Sequence, residues 1–483
     1  MSKEQTLDHA RWCPMADLRL SRRKHAPSDV EMALHQQPRN SDLAGLTSLL
    51  GRPVVAQGLV DWAELSGRAI EPSVDAWLGK GYTGAITASL TIRGRDTPDE
   101  PPEGDRNVVA KVISRAERSE IAVHQAALDQ APADFMRSHL VQLRYGPVQI
   151  DRDTVVYFQD LAGRSSRYRP AKELAERLVE LTDLCCAVVD DVATEWNLAP
   201  RGAKTSVWEL AHQELHHPVT TNGSVRRLTT MFGMASAGAR VLLNDGADPL
   251  ANPWLLMTDR TEVGARKLEV LRGQGHGDLH LGNVLVLINH SGVVPKSYCL
   301  IDLATYQATA PRGRDPITLL LSVVSVFWPT LMEHQRRALL GDLTRPDLKQ
   351  DARQDQLLGG LVTRVFKATL NSVESNGFEQ SWRVQYPVEL AAAALRSTTF
   401  EDYPADLRWW LVELACRATQ AHLDITGQQL PEDKPQRLNN PFVDAADPRT
   451  PQAPIPGAGE GKYPVDGTLI GRRSGTKSNE DPA

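Results

Sequence analysis

The stretch His276-Gly277-Asp278-Leu279-His280-Leu281-Gly282-Asn283 places a carboxylate and a carboxamide five positions apart. Another carboxylate, Asp302, ends the apolar run Tyr298-Cys299-Leu300-Ile301. Residues of these types suit phosphoryl transfer to a hydroxyl. That reaction needs one carboxylate to accept or orient the hydroxyl proton. It also needs a second carboxylate and a further oxygen ligand to hold Mg²⁺ against the phosphates. A strand pair is predicted at Val284 to Ile288 and Ser297 to Ile301, around an Asn-His-Ser-Gly turn. Such a pair can deliver all three side chains to one point.

The spacing from Asp278 to Asn283 is that of the kinase catalytic loop H-R-D-x-x-x-x-N. Upstream, Gly79, Gly81 and Gly84 form G-x-G-x-x-G, with Ile86 two places on. Glycines let backbone approach phosphate without a Cβ clash. A dinucleotide-binding fingerprint opens a helix. Here the β-patterned Ile86-Thr87-Ala88-Ser89-Leu90-Thr91-Ile92 follows directly, which favours a hairpin lid over phosphates. Lys111 lies inside the apolar strand predicted at Val108 to Ile113. Its ammonium needs a partner there, and nucleotide phosphates braced by a helix glutamate would supply one. Glu120 is the preferred brace, in a helix predicted from Ser119 to Gln130, and Glu117 is the alternative.

These residues need a scaffold, and the chain of 483 residues is long enough for roughly two to four domains. Hydrophobic residues make up 41% and charged residues 24%, as in soluble globular proteins. A net charge of -6 gives no reason to expect nucleic acid or an anionic membrane as partner. Five cysteines without a C-x-x-C pair, and an N-terminus without an apolar core, fit a reducing cytoplasm. The apolar run Ile317 to Met332 falls short of a membrane span, is interrupted by Pro329, and reads as a buried helix.

Four segments follow. Residues 1–55 form an N-terminal extension, helical around Asp42 to Leu50. Residues 56–163 form a small β-rich lobe. In it Ile86, Ala88, Leu90 and Ile92 alternate with polar residues as in a half-buried strand. The acidic stretch Arg93 to Asn107 reads as a hairpin loop, and Val155 to Gly163 as a strand running into a turn. Residues 164–428 form a helical lobe, with Leu174, Leu178, Leu181, Cys185, Val188 and Val192 at helical spacing and the strand pair above as its exception. Residues 429–483 are a Pro- and Gly-rich tail, disordered or loosely packed.

The order of glycine loop, strand lysine, helix glutamate, HGDLHLGN and strand-end aspartate resembles the aminoglycoside phosphotransferase and choline kinase family, over roughly residues 70–425. The resemblance implies an α+β class: a bilobal protein-kinase-like fold with a small β-rich N-lobe and a large helical C-lobe. It implies that Asp278 is the catalytic base. His276, the second catalytic candidate, is read as orienting the loop in preference to carrying the proton itself. Asn283 and Asp302 would be metal ligands and Lys111 would contact the phosphates. The backbone of Gln159 to Leu161 would receive adenine, and Asp315 would steady the loop. ATP and Mg²⁺ are the implied cofactors. The sequence departs from the family where Leu-Ala-Thr follows Asp302, so no DFG-type switch is expected.

The function expected is an ATP- and Mg²⁺-dependent phosphotransferase acting on the hydroxyl of a small molecule. A nucleotide-binding interaction module, with partners engaged through the two ends of the chain, is the alternative, and a protein kinase is a third. Two other features are given bland readings. In His212-Gln213-Glu214-Leu215-His216 the glutamate stands one place late for a zinc protease motif. Trp409 and Trp410 lack interleaved cations for base stacking and read as core packing.

Overall fold

The computed structural model describes residues 41–73, 78–80, 85–94, 105–162, 167–215, 223–244, 248–345, 358–375 and 377–444. Gly81, Gly84, His216, most of the acidic loop after Arg93, and both ends of the chain lie outside them. The chain is mixed α and β, with a small β-rich N-terminal part and a larger helical C-terminal part, the class expected for a protein-kinase-like fold. It divides into two units, the first made of residues 1–78 and 88–106 and the second of residues 79–87 and 107–483.

In the first unit, Asp42 starts α1 (Leu43–Leu50) by accepting a hydrogen bond from Gly45 N at 2.8 Å. Gly51, at φ +62°, ends it. Helix α2 (Pro53–Leu65) opens on a proline, whose missing N–H costs nothing there, and buries Val55, Ala56, Leu59, Val60 and Ala63. It crosses the boundary expected at residue 55. Strand β1 (Arg68–Pro72) runs antiparallel to β3 (Ile86–Gly94), with Arg68 opposite Gly94 and Pro72 opposite Leu90. Between them in the chain, where the second unit starts at residue 79, is β2 (Leu78–Lys80), which holds Gly79. The alternation in β3 predicted one solvated face. Instead Ser89 and Thr91 are buried as well as Ala88, Leu90 and Ile92, and the Ser89 hydroxyl is satisfied by that of Ser73 at 2.7 Å.

The second unit begins with β4 (Arg106–Ser114), α3 (Ser119–Gln130), α4 (Ala133–His139), β5 (Leu143–Gln149) and β6 (Thr154–Asp160). Strand β6 pairs antiparallel with both β4 and β5, setting Val109 and Leu143 opposite Gln159. After it come β7 (Tyr168–Pro170), α5 (Leu178–Asp191), β8 (Arg201–Ser206), α6 (Val207–Leu215), α7 (Ser224–Met231), β9 (Arg240–Leu242), β10 (Leu250–Ala251) and α8 (Glu262–Ala265). The chain continues through β11 (Lys267–Gly275), β12 (Val284–Asn289), β13 (Gly292–Leu300), β14 (Gln307–Pro311), α9 (Arg314–Phe327), α10 (Glu333–Thr344), α11 (Gly359–Ser375), α12 (Glu379–Ser397), α13 (Ala405–Thr426), β15 (Gln436–Arg437) and α14 (Pro441–Asp444).

Two differences from the sequence expectation stand out. The region read as almost wholly helical also holds β7 to β11 and β14. Strand β11 pairs with β8 and β14, and β12 pairs with β13 and β7. In β11, Leu268 and Leu271 stand three apart and mimic a helical stripe, and charged Lys267, Glu269 and Arg272 interrupt the apolar run. Second, the start of the tail is packed. Strand β15 lies parallel to β9, and Leu438 is 2% exposed. His212 to Leu215 form the end of α6, and His212 Nε2 is 3.2 Å from the Met257 carbonyl, in keeping with the bland reading of that segment.

The apolar run near residue 320 is α9, buried from Arg314 to Leu321 and beyond, in a core with Trp196, Tyr298, Trp382 and Tyr386. Trp410 joins this core, donating Nε1–H to the Arg336 carbonyl at 3.0 Å, and Trp409 stands edge-on to Phe232. Among the described residues no helix is long and apolar enough to cross a membrane.

Candidate functional site

The site is assembled from the ends of strands in the second unit. Strand β11 runs into the His276 loop, β12 leaves it at Val284, and β13 returns to Asp302. The antiparallel pairing sets Val284 opposite Leu300, and Ile301 N donates to the Asn283 carbonyl at 3.0 Å. That register brings residues on either side of a hairpin to one end of it.

The loop is held from beneath by one carboxylate. Asp315, near the start of α9, accepts His276 N at 2.7 Å and Gly277 N at 2.9 Å and is 4% exposed. Charge-assisted bonds to two buried N–H groups are worth more than neutral ones. Gly277 sits at φ +84°, and a Cβ there would collide with the Thr305 carbonyl oxygen. The His276 ring is fully buried. Its Nε2 faces the Ile301 carbonyl at 2.8 Å, and its Nδ1 accepts Asp278 N at 3.3 Å. Both ring nitrogens are spent on backbone, so the geometry gives His276 an orienting part, with no free nitrogen for a transferred proton.

Asp278 keeps its side chain partly open to solvent. Its Oδ1 accepts from Arg396 Nη2 at 3.1 Å, and its Oδ2 is 3.8 Å from His280 Nε2. Burial depresses the pKa of His280 below the ordinary histidine range, against the opposing pull of Asp278. Its Nδ1 accepts Gly282 N at 3.0 Å. A neutral ring with an N–H at Nε2 fits both observations. Asn283 donates from Nδ2 to the Asp278 carbonyl at 2.9 Å, which ties the two candidate residues of the loop together and leaves Oδ1 available as an oxygen donor.

Lys111 is the meeting point with β4. Its Nζ donates to Glu120 Oε2 at 2.9 Å and to Asp302 Oδ1 at 3.1 Å. Burial alone would lower its pKa. The nearby Tyr157, Asp302 and Glu120 outweigh that, and the ammonium is held above its ordinary value. The two candidate braces separate cleanly. Glu120 reaches the lysine, whereas Glu117 closes a capping box, accepting from Ser114 N and Oγ at 2.9 Å each. Asp302 occupies the left-handed region at φ +60°, rare for a residue with a side chain. Strain of this kind concentrates at functional sites.

Gln159 lies in β6, 7% exposed, with its Nε2 at 3.5 Å from His124 Nδ1. Leu161 follows the strand, half-buried, and Asp160 between them takes a two-pronged bond from Arg144, at 2.7 Å to each oxygen. Gly79 is in β2, while Gly81 and Gly84 lie outside the described residues. The structure therefore brings Lys111, Glu120 and Asp302 into direct contact, and Asp278, His276, Asn283 and Asp315 into another connected set.

Sequence reasoning missed Arg396. It stands in the last turn of α12, 118 positions from Asp278, and no local motif marks it. It also missed a buried charge cluster behind the loop. Arg314 Nε lies 3.5 Å from Glu214 Oε2, with both side chains almost wholly buried. Gln385 donates to Glu389 and also pairs with the backbone of Leu271 in β11. Burial pushes the pKa of Glu214 up to about 7, although Arg314 opposes it, and pushes Glu389 well above its ordinary range.

The donor set suits a hard divalent cation. The Asp302 side chain is 46% exposed, with its second oxygen unclaimed by Lys111, and Asn283 offers an amide oxygen. All-oxygen ligation by a carboxylate and an amide, completed by water and phosphate, is the habit of Mg²⁺. Lys111, already charged and buried, is the complement of an anionic phosphate.

No protein-family model matches the sequence, and no curated protein matches it. Among solved structures, a protein from Ralstonia eutropha JMP134, described as a putative aminoglycoside phosphotransferase, is similar at 10% identity and a TM-score of 0.37. The similarity covers 77% of this chain and 98% of that one.

Proposed function

We propose that this protein is a phosphotransferase that moves the γ-phosphoryl group of ATP to a hydroxyl on a small molecule. The observation that carries the reading is the double engagement of Lys111 by Glu120 and Asp302, beside a loop whose Asp278 is open to solvent and whose backbone is clamped by Asp315. Three separate chain segments converge there, and each supplies a group that phosphoryl transfer requires.

In this reading Asp278 accepts or orients the acceptor hydroxyl's proton. His276 and Asp315 fix the backbone from which it projects. Lys111 binds phosphate oxygens, held upright by Glu120. Asn283 and Asp302 would hold Mg²⁺, which when bound neutralises charge on the phosphates. Gln159 to Leu161 would carry the base at the end of β6, and the glycines at 79, 81 and 84 would cover the phosphates. Positioning and electrostatics, more than covalent chemistry, supply the rate.

The test is to follow ADP formation and labelled phosphate from Mg·ATP over a panel of hydroxylated small molecules, with calorimetry of Mg·ATP binding on the same protein. Binding together with transfer to a member of the panel supports the reading. Binding with no transfer over the whole panel replaces it with a nucleotide-binding interaction module.

A further inference from the structure

We infer that Arg396 selects the acceptor, favouring a hydroxyl that neighbours an anionic group such as a phosphate or carboxylate and disfavouring a cationic acceptor. The inference rests on the reading of Asp278 as the base and names the acceptor class for that same site.

The geometry comes first. Arg396 Nη2 is 3.1 Å from Asp278 Oδ1. An acceptor hydroxyl hydrogen-bonded to either oxygen of Asp278 then sits within about 8 Å of the guanidinium. A group that close cannot be neutral toward the charge of what binds. The side chain is 22% exposed, so it is neither sealed in the core nor free in solvent.

The second observation is spare donor capacity. A guanidinium carries five N–H groups in a planar fork. One of them meets Asp278, and among the described residues the guanidinium makes no other hydrogen bond. Arg396 stands in the last turn of α12, and its backbone carbonyl accepts Thr398 N and Thr399 Oγ1, the latter at 2.7 Å, which fixes the main chain from which the side chain projects. A planar fork with unused N–H groups matches the paired oxygens of phosphate or carboxylate.

The surrounding charges set the competition. Asp278 and Asp302 are committed to the reaction centre. Glu214, behind Arg396, is buried with Arg314. Glu401 and Asp402 lie exposed in the turn after α12. Lys172 adds a positive field that reaches His280. Beside Asp278 itself, the nearest formal charge not held by that centre is the Arg396 cation. A purely structural role, propping Asp278, would leave acceptor preference unaffected by a change at Arg396, and this separates the two.

The experiment uses the full chain, as wild type, Arg396→Gln and Arg396→Lys. Binding of glycerol 3-phosphate, ribose and choline is measured by calorimetry in the presence of Mg²⁺ and a non-hydrolysable ATP analogue. Transfer from Mg·ATP to the same three probes is followed by ADP release. The expected result is tighter binding of glycerol 3-phosphate than of the other two. Arg396→Gln weakens it at least tenfold, Arg396→Lys restores part of it, and the affinity for the nucleotide stays within twofold. Where transfer is seen, the loss appears in KM for the anionic probe more than in kcat. Choline binding as well as glycerol 3-phosphate, no measurable binding of the anionic probe, or an anionic preference unchanged in Arg396→Gln overturns the inference. Arg396-dependent anion binding with no transfer to any of the three probes supports the anion site beside Asp278, while the phosphotransferase reading is decided by the wider acceptor panel, so the two failures are distinguishable.

Discussion

Lys111 donates to Asp302 across 3.1 Å, although 191 positions separate them in the chain. The same ammonium holds Glu120 at 2.9 Å. One buried cation thus ties a strand, a helix and the end of β13 into a single electrostatic unit. Replacing Lys111 with Met leaves two carboxylates near each other and removes the cation proposed to bind phosphate. The expected outcome is at least a tenfold loss of Mg·ATP affinity, about 1.4 kcal/mol, measured by calorimetry. Unchanged affinity would show that the lysine is only a structural brace.

The clamp beneath the loop gives a second expectation. Asp315 accepts two buried backbone N–H groups with its two oxygens. Asn at this position offers one acceptor and turns its amide N–H₂ against the other donor. Asp315→Asn should destabilise the protein by about 2 kcal/mol, read by chemical denaturation, and should reduce turnover by loosening the Asp278 loop.

Gly277 is a sharper test of the same loop. Its φ of +84° and its approach to the Thr305 carbonyl leave no room for a methyl group. Gly277→Ala should cost about 1–3 kcal/mol. A melting temperature equal to wild type would mean that the loop adopts another conformation in solution.

How much of this was legible in the sequence follows from how local each signal is. The loop from His276 to Asn283 is a contiguous motif, and Asp302 closes an apolar strand, so both are visible on inspection. Lys111 stood out because an ammonium in an apolar strand demands a partner. Glu120 was preferred over Glu117 because it lies inside the predicted helix, but only the fold shows that Glu120 faces the lysine while Glu117 caps Ser114. Arg396 carries no local signal at all. Its meaning exists only once α12 delivers it to Asp278. Strand β11 was hidden for a different reason. Its leucines fall at helical spacing, and its partners β8 and β14 are distant in the chain.

The buried cluster predicts a pH dependence of stability. Burial raises the folded-state pKa of Glu214 from 4.5 to about 7. A raised carboxyl contributes stability that is fully present below about pH 4.5 and is lost as pH rises to about 7. Glu214→Gln stays neutral throughout. The stability of wild type relative to Glu214→Gln should therefore fall across that window by an amount on the order of 2 kcal/mol, measured by urea unfolding at several pH values. Parallel curves would contradict a protonated, buried Glu214.

Asp278 is where the central claim is most exposed. The direct measurement is transfer of labelled γ-phosphate by wild type and Asp278→Asn, with Mg·ATP binding measured on both. Loss of a general base predicts a fall in turnover of roughly 10² to 10⁴-fold, with nucleotide affinity within about twofold of wild type, because the groups proposed to hold the nucleotide, Lys111 and Asp302, make no hydrogen bond to Asp278 among the described residues. Equal turnover by the two proteins would contradict the assignment of Asp278 as the base and, with it, the proposed chemistry of this site.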